Sequence, residues 1–145
     1  FVTSRFLPAM VSRGKGVVVN VSSGNGLMYA GNPAYSVAKA GLIHFTRMLA
    51  VEYGPKGIRA VSIIPGSVRT RAWTHRIAKN PALLEELRKW YPLGRIVEPI
   101  EVANVVAFAV SDLASAITGS TLTVDNGILA GNTVFGDAIS SGDRA

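Results

Sequence analysis

The chain contains no cysteine and only two histidines among its 145 residues. Without cysteine it has no disulfide, no thiolate metal site and no cysteine nucleophile. The two histidines, His44 and His75, lack the spacing of a His-Glu-x-x-His motif, so no metal site is expected. A cysteine-free composition agrees with a reducing compartment, and we expect a cytoplasmic location.

Long apolar runs are also lacking. The apolar stretch at residues 102–110 is interrupted by Asn104 and is followed by Ser111 and Asp112. No run approaches the roughly 18 apolar residues of a membrane-spanning helix, and no signal peptide is recognisable. The sequence therefore predicts no membrane partner. With 48% hydrophobic residues, the chain is long enough for one modest core, so one domain or part of one is expected.

Positive charge is concentrated in one segment. The net charge is +6, and residues 69–95 hold seven Lys or Arg against two Glu. This basic segment is either an attractive surface for an anionic partner or the solvated face of an amphipathic helix at about residues 80–91. No nucleic-acid-reading motif accompanies it and its aromatic residues do not interleave with the cations, so nucleic acid is not an expected partner.

One tyrosine and one lysine stand at a spacing that suits proton transfer. Tyr35 and Lys39 are four positions apart, so on a helix they share a face. A nearby ammonium favours the phenolate form of a tyrosine, which makes the phenol a usable acid/base. Ser22 and Ser23 end an upstream apolar run and offer a hydroxyl to hold a substrate oxygen. The group predicts chemistry on a carbonyl or an alcohol.

The order of the predicted elements is that of a parallel α/β fold. Apolar runs predict strands at residues 16–23, 58–64 and 121–124, and longer periodic segments predict helices at residues 35–53 and 98–110. A shorter helical segment at residues 1–11 is interrupted by Pro8. Gly24 and Gly26 follow the first strand, but their spacing to Gly31 and the lack of a suitably placed acidic residue argue against a nucleotide-binding loop.

These motifs, in this order, resemble the classical short-chain dehydrogenase/reductase family. The resemblance rests on Ser22-Ser23, Tyr35-x-x-x-Lys39 and Pro65-Gly66-x-Val68-x-Thr70, and it extends over residues 1–130. It implies the C-terminal half of a doubly wound, parallel-sheet Rossmann-type α/β domain, because the family's first Gly-rich turn, Thr-Gly-x-x-x-Gly-x-Gly, has no match here. Such a domain has roughly 250 residues. Residues 131–145, rich in Gly, Ser and Asp, are expected to form a loose extension.

The resemblance also implies roles for individual residues. Tyr35 is expected to be the catalytic acid/base, Lys39 to support it and bind the ribose of the nicotinamide nucleotide, and Ser23 to orient the substrate. Ser22 is the alternative serine, because the family's usual Ser-to-Tyr spacing of thirteen selects it, whereas a Ser-Ser-x-x-Gly pattern selects Ser23. The residues expected to contact the cofactor, NAD or NADP, are Tyr35, Lys39, Pro65, Gly66, Val68 and Thr70.

The function implied by the resemblance is an NAD(P)-dependent oxidoreductase that interconverts an alcohol and a ketone or aldehyde, with residues 69–95 as its substrate loop. The basic charge of that loop fits an anionic or carrier-bound substrate. The alternative is a catalytically silent binding or assembly module, because the Gly-rich cofactor loop is absent. The resemblance further implies a homodimer or homotetramer, and the 145-residue chain by itself is expected to be inactive.

Overall fold

A computed structural model describes residues 2–140 of the chain. Three strands alternate with helices, and short 3-10 turns follow β1, α2 and α5. The elements in chain order are α1 (Val2–Arg13), β1 (Gly16–Val21), α2 (Pro33–Tyr53), β2 (Ile58–Pro65), α3 (Arg71–Lys79), α4 (Leu83–Arg88), α5 (Pro99–Val110), β3 (Thr121–Val124) and α6 (Thr133–Ile139). In this part of the chain every helix is too short or too polar for a membrane crossing.

The three strands form one parallel sheet in the order β1-β2-β3. Gly16 pairs with Ile58 at the start of β1, and Ser62 pairs with Thr121 at the start of β3. The central strand β2 is buried along almost its whole length, as expected for a parallel strand covered on both faces. The predicted α/β class with a parallel sheet is confirmed.

The two faces of the sheet carry separate apolar clusters, because alternate side chains of β2 point in opposite directions. Ile58 and Ala60 pack against α1 and α2 together with Leu7, Leu49 and Ala50. Val61 and Ile63 pack on the other face, where α5 contributes Ala109, Val102, Val105 and Val106. The sheet is therefore held between two helical layers, and the strand ends are left to form a site.

Several element boundaries differ from the expectation. Helix α1 continues through Pro8, since a proline costs one intrahelical hydrogen bond and Leu7 beside it is anchored in the core. Helix α2 begins at Pro33, two residues earlier than predicted, because proline suits the first helical position and Asn32 caps the helix. Strand β1 ends at Val21, before the two serines.

The basic segment and the C-terminal segment also differ. Residues 69–95 contain two short helices: α4 lies within the helix expected at about residues 80–91 but is shorter, and α3 precedes it. In the segment expected to be a loose extension, residues 133–139 form helix α6, because the Asn132 side chain accepts a hydrogen bond from the Phe135 N–H at 3.3 Å. The described residues do not include residues 141–145 of that segment, nor Phe1, which belongs to the helical segment predicted at residues 1–11.

Candidate active site

A pocket of about 480 Å³ lies where the carboxyl ends of the parallel strands meet. Its wall comes from the loop after β1, the start of α2, the loop after β2, helix α3, and single residues near positions 91 and 128. Parallel α/β sheets form their ligand sites at this edge, because loops from neighbouring strands converge there. Ser23, Tyr35, Pro65, Gly66 and Val68 of the predicted site line this pocket.

The first turns of α2 set the position of the tyrosine and the lysine. Asn32 has a positive φ of 55°, and its Oδ1 accepts the Tyr35 N–H at 3.2 Å, which fixes the start of the helix at the pocket. The Lys39 Nζ lies 5.5 Å from the centroid of the Tyr35 ring. It also donates a hydrogen bond to the Val21 carbonyl oxygen at 3.0 Å, so the ammonium is held between the end of β1 and the phenol ring.

The two serines have different surroundings. The Ser22 side chain is 4% exposed, and its Oγ donates a hydrogen bond to the Lys39 carbonyl oxygen at 2.8 Å. Ser23 is half-buried, and its Oγ accepts the Asn25 N–H at 3.3 Å. Only Ser23 of the pair lines the pocket with Tyr35.

The loop after β2 is fixed by backbone hydrogen bonds on both sides. The Gly66 N–H donates to the Val124 carbonyl at 3.0 Å, and Val97 bonds to Ser67 and Arg69 at 2.9 and 2.8 Å. The Val68 N–H donates to no protein acceptor among residues 2–140, which leaves it available to a ligand.

Besides the alternative serine Ser22, the predicted site residues that do not line the pocket are Thr70 and Lys39. Thr70 is exposed and precedes the first residue of α3, without a side-chain capping bond. The Lys39 ammonium lies next to the Tyr35 ring and is hydrogen-bonded to the end of β1.

Helix α3 and the segment after α4 also contribute to the pocket wall. Trp73 and Arg76 of α3 line it, with the Arg76 guanidinium 5.3 Å from the Trp73 ring centroid. Tyr91 is 4% exposed, and its hydroxyl oxygen accepts the Ser67 N–H at 3.2 Å. Tyr91 thereby ties the basic segment to the loop after β2.

Two other arginines of the basic segment form ion pairs with glutamates near the start of α5. Arg69 pairs with Glu98, and their hydrogen bond raises the pKa of the Arg69 guanidinium. The Arg95 guanidinium holds the Glu101 carboxylate in two hydrogen bonds and, with help from the Glu98 N–H, lowers the pKa of Glu101 to about 2. No group of three potential metal ligands occurs among residues 2–140.

Residues 1–129 match the family model described as enoyl-(acyl carrier protein) reductase. The chain belongs to the short-chain dehydrogenase/reductase family. The predicted resemblance is thereby confirmed, and several of the relatives are named oxidoreductases.

Individual relatives agree with this family assignment. An uncharacterized oxidoreductase of Schizosaccharomyces pombe is 47% identical over 134 residues, which cover 91% of this chain and 52% of the relative. The crystal structure of a short-chain dehydrogenase/reductase from Burkholderia thailandensis, also 47% identical, has a TM-score of 0.90 over 93% of this chain and 53% of its own. A 3-oxoacyl-[acyl-carrier protein] reductase from Brucella melitensis with bound NAD is 34% identical, with a TM-score of 0.75 over 85% of this chain and 44% of its own. This short-chain dehydrogenase/reductase chain therefore spans about half the length of the relatives it matches.

Among the pocket residues that sequence reasoning missed, three carry aromatic or charged side chains: Trp73, Arg76 and Tyr91. Tyr91 and Arg76 belong to the basic segment, and the positive charge of that segment was the only feature that indicated a binding role. Charge alone does not tell which side chain faces a pocket. Trp73 has no motif of its own in the sequence, and the fold places it in the pocket wall. The fold brings these residues in from positions more than 35 residues after Tyr35.

Proposed function

We propose that this chain carries the catalytic part of an NAD(P)-dependent dehydrogenase or reductase that interconverts an alcohol and a ketone or aldehyde. One observation carries the proposal: Tyr35 and Ser23 line a single pocket, and the Lys39 ammonium lies against the Tyr35 ring. A phenol, a hydroxyl and a nearby cation are the groups that proton transfer to or from a substrate oxygen requires.

In this proposal Tyr35 exchanges a proton with the substrate oxygen. The Lys39 ammonium stabilises the phenolate that remains after the phenol has donated its proton. The Ser23 Oγ accepts the Asn25 N–H, which leaves its own O–H to donate to the same substrate oxygen. Ser23 is therefore the proposed orienting serine, and Ser22, whose hydroxyl is engaged by the Lys39 carbonyl, is not.

The loop after β2 suits the carboxamide end of a nicotinamide. Pro65, Gly66 and Val68 line the pocket beside Tyr35, and the Val68 N–H is available as a donor. We propose that these residues, with Thr70 at the end of the loop and Lys39 toward the ribose, hold NAD or NADP. When bound, the nicotinamide supplies or accepts the hydride. The Brucella melitensis reductase with bound NAD supports this assignment.

The test uses the protein at its natural length. Titration with NADH and NADPH, followed by fluorescence, is expected to give saturable binding. Tyr35→Phe is expected to keep that binding and to lower turnover of a panel of alcohols about 10²- to 10⁴-fold, because only the transferable proton is lost.

The matched control is Tyr29→Phe, which changes a tyrosine that is 70% exposed and outside the pocket lining. This variant is expected to turn over at the wild-type rate. Unchanged turnover by folded Tyr35→Phe overturns the proposal, and failure to bind either nucleotide favours the silent binding module.

We further propose that helices α1 and α2 mediate a homodimer or homotetramer. These helices expose large apolar side chains, including Phe6, Val37, Phe45, Met48 and Val51, of which Val37 and Val51 are 74% and 76% exposed. Exposed apolar side chains, where they adjoin in a large patch, mark an interaction site. Light scattering that finds a monomer contradicts this part of the proposal.

The cytoplasmic location stays a prediction.

A further inference from the structure

We infer that Arg76, stacked on Trp73, forms an anion subsite of the pocket that contains Tyr35, and that the substrate is a small oxo- or hydroxy-acid whose carboxylate binds there. The inference rests on the proposed function, because that function makes the pocket ligand a substrate. It assigns a specificity-determining role to two residues of α3.

Charge is the first argument. Among residues 2–140, Arg76 is the one formally charged side chain of the pocket wall, and no aspartate or glutamate lines it. Three other arginines of residues 69–95 are neutralised by carboxylates, in the pairs Arg69–Glu98, Arg88–Glu85 and Arg95–Glu101. Arg76 has no carboxylate within salt-bridge distance among residues 2–140. The pocket therefore presents an uncompensated positive charge.

The stacking of Arg76 is the second argument. Its guanidinium lies 5.3 Å from the Trp73 ring centroid, three positions earlier on the same helix. A guanidinium over an aromatic face keeps its N–H edge free, and that edge matches the two oxygens of a carboxylate. The stack also restrains a long side chain before a ligand arrives, which reduces the entropy lost on binding.

Pocket size is the third argument. A volume of about 480 Å³ lies in the range of sites that take small molecules. Met28, Val68 and Ile128 also line the pocket and supply apolar surface. A short acid fits this arrangement, with its carbonyl or hydroxyl carbon at Tyr35 and its carboxylate at Arg76.

Binding measurements test the subsite without requiring turnover. Malate, its neutral counterpart malamide and inorganic phosphate are titrated by calorimetry into the protein at its natural length. Arg76→Gln keeps a planar polar side chain and removes the charge. It is expected to weaken malate binding at least about tenfold and to leave the response to malamide unchanged.

The matched control is Lys79→Gln, which removes one charge from the same helix outside the pocket wall and is expected to leave malate binding unchanged. Equal malate affinity in wild type and Arg76→Gln overturns the subsite. An equal loss in Lys79→Gln also overturns it, because the effect is then the general field of the helix. Binding of phosphate without binding of malate overturns the carboxylate assignment in favour of a phosphorylated or carrier-borne ligand.

Tyr35→Phe separates this inference from the proposed function. If malate binding depends on Arg76 but Tyr35→Phe retains full turnover, the subsite stands and the proposed chemistry fails. If Tyr35→Phe loses turnover while Arg76→Gln changes neither malate binding nor the preference for acids over neutral alcohols, the chemistry stands and the subsite fails.

Discussion

Ser22 and Ser23 are neighbours in the chain, but their hydroxyls serve different partners. The Ser22 Oγ is buried and donates to the Lys39 carbonyl, which ties the end of β1 to α2. The Ser23 Oγ lies at the pocket wall and accepts only the Asn25 N–H among the described residues. A change at Ser22 therefore acts on the fold, and a change at Ser23 acts on the pocket.

These contacts predict opposite effects for two matched substitutions. Ser23→Ala is expected to raise the barrier to turnover by about 1 to 3 kcal/mol, because the substrate oxygen loses a donor. Ser22→Ala is expected to lower the free energy of unfolding by about 1 kcal/mol through one buried hydrogen bond, with a smaller effect on kcat. Steady-state kinetics and thermal unfolding of both variants measure the two effects. The reverse ranking in kcat/KM refutes the assignment to Ser23.

For single residues, the sequence predicts which side chains lie together when they belong to the same helix or strand. Tyr35 and Lys39 adjoin because positions four apart on a helix share a face. The sequence left the choice between Ser22 and Ser23 open, because both follow the end of β1 and their directions depend on how α2 packs there. Arg76 was likewise one of several surface cations until the fold brought α3 over the pocket.

Helix α5 begins in a compact arrangement of two glutamates and an arginine. The Glu98 and Glu101 side chains form a capping box, in which the Glu101 carboxylate accepts the Glu98 N–H at 2.8 Å. The same carboxylate accepts two hydrogen bonds from Arg95 at 2.6 and 2.8 Å. Glu101 thus joins the start of α5 to the segment that holds the loop after β2.

This arrangement predicts a pH dependence of stability. The pKa of Glu101 is lowered from 4.5 to about 2, chiefly by the Arg95 hydrogen bonds, so the ionised carboxylate stabilises the folded state. That stabilisation is present above about pH 4.5 and is lost as the pH falls toward about 2. Glu101→Gln is expected to lower Tm at neutral pH, and the difference from wild type is expected to shrink over that acid range.

Thermal unfolding between pH 2 and pH 7 measures the effect, which high salt is expected to reduce because the groups are partly exposed. Glu86→Gln is the matched control, since Glu86 has no ion pair among residues 2–140. A Tm difference for Glu101→Gln that stays constant over the whole pH range contradicts the proposed role of its charge.

At the element scale, strong local signals were sufficient for prediction. Strand β3 has the predicted limits, and α5 starts where Pro99 and Glu101 indicate a helix. The predicted start of α2 at residue 35 is two residues too late, because Pro33 is itself the first helical residue. Helix α6 was missed because its composition resembles a flexible tail and its one clear signal is the Asn132 cap.

At the scale of the molecule, residues 2–140 leave one edge of the sheet, at β1, without a neighbouring strand. Strand β1 lies at an edge, and each of its residues is at least partly exposed, with Val21 46% exposed. Beside it, an open groove of about 260 Å³ runs between β1 and α1, lined mostly by apolar residues such as Phe6 and Met10. The relatives are about twice as long as this chain, so their folds contain material that this chain by itself does not.

This exposure leads to a prediction for residues 1–145 expressed by themselves. An uncovered parallel edge offers free N–H and C=O groups to other chains, and exposed apolar surface costs about 25 cal/mol per Å². We therefore expect the isolated chain to aggregate or to unfold without a sharp transition, and to show no dehydrogenase activity. Adding the amino-terminal half of the Schizosaccharomyces pombe relative, in cis or in trans, is expected to restore both order and turnover, because we expect a strand of that half to pair with the edge of β1 and to cover the groove. Calorimetry and NAD(P)-dependent oxidation of alcohols measure the two outcomes. A cooperative transition together with turnover by the isolated chain would show that three strands and their two helical layers are sufficient for both folding and catalysis.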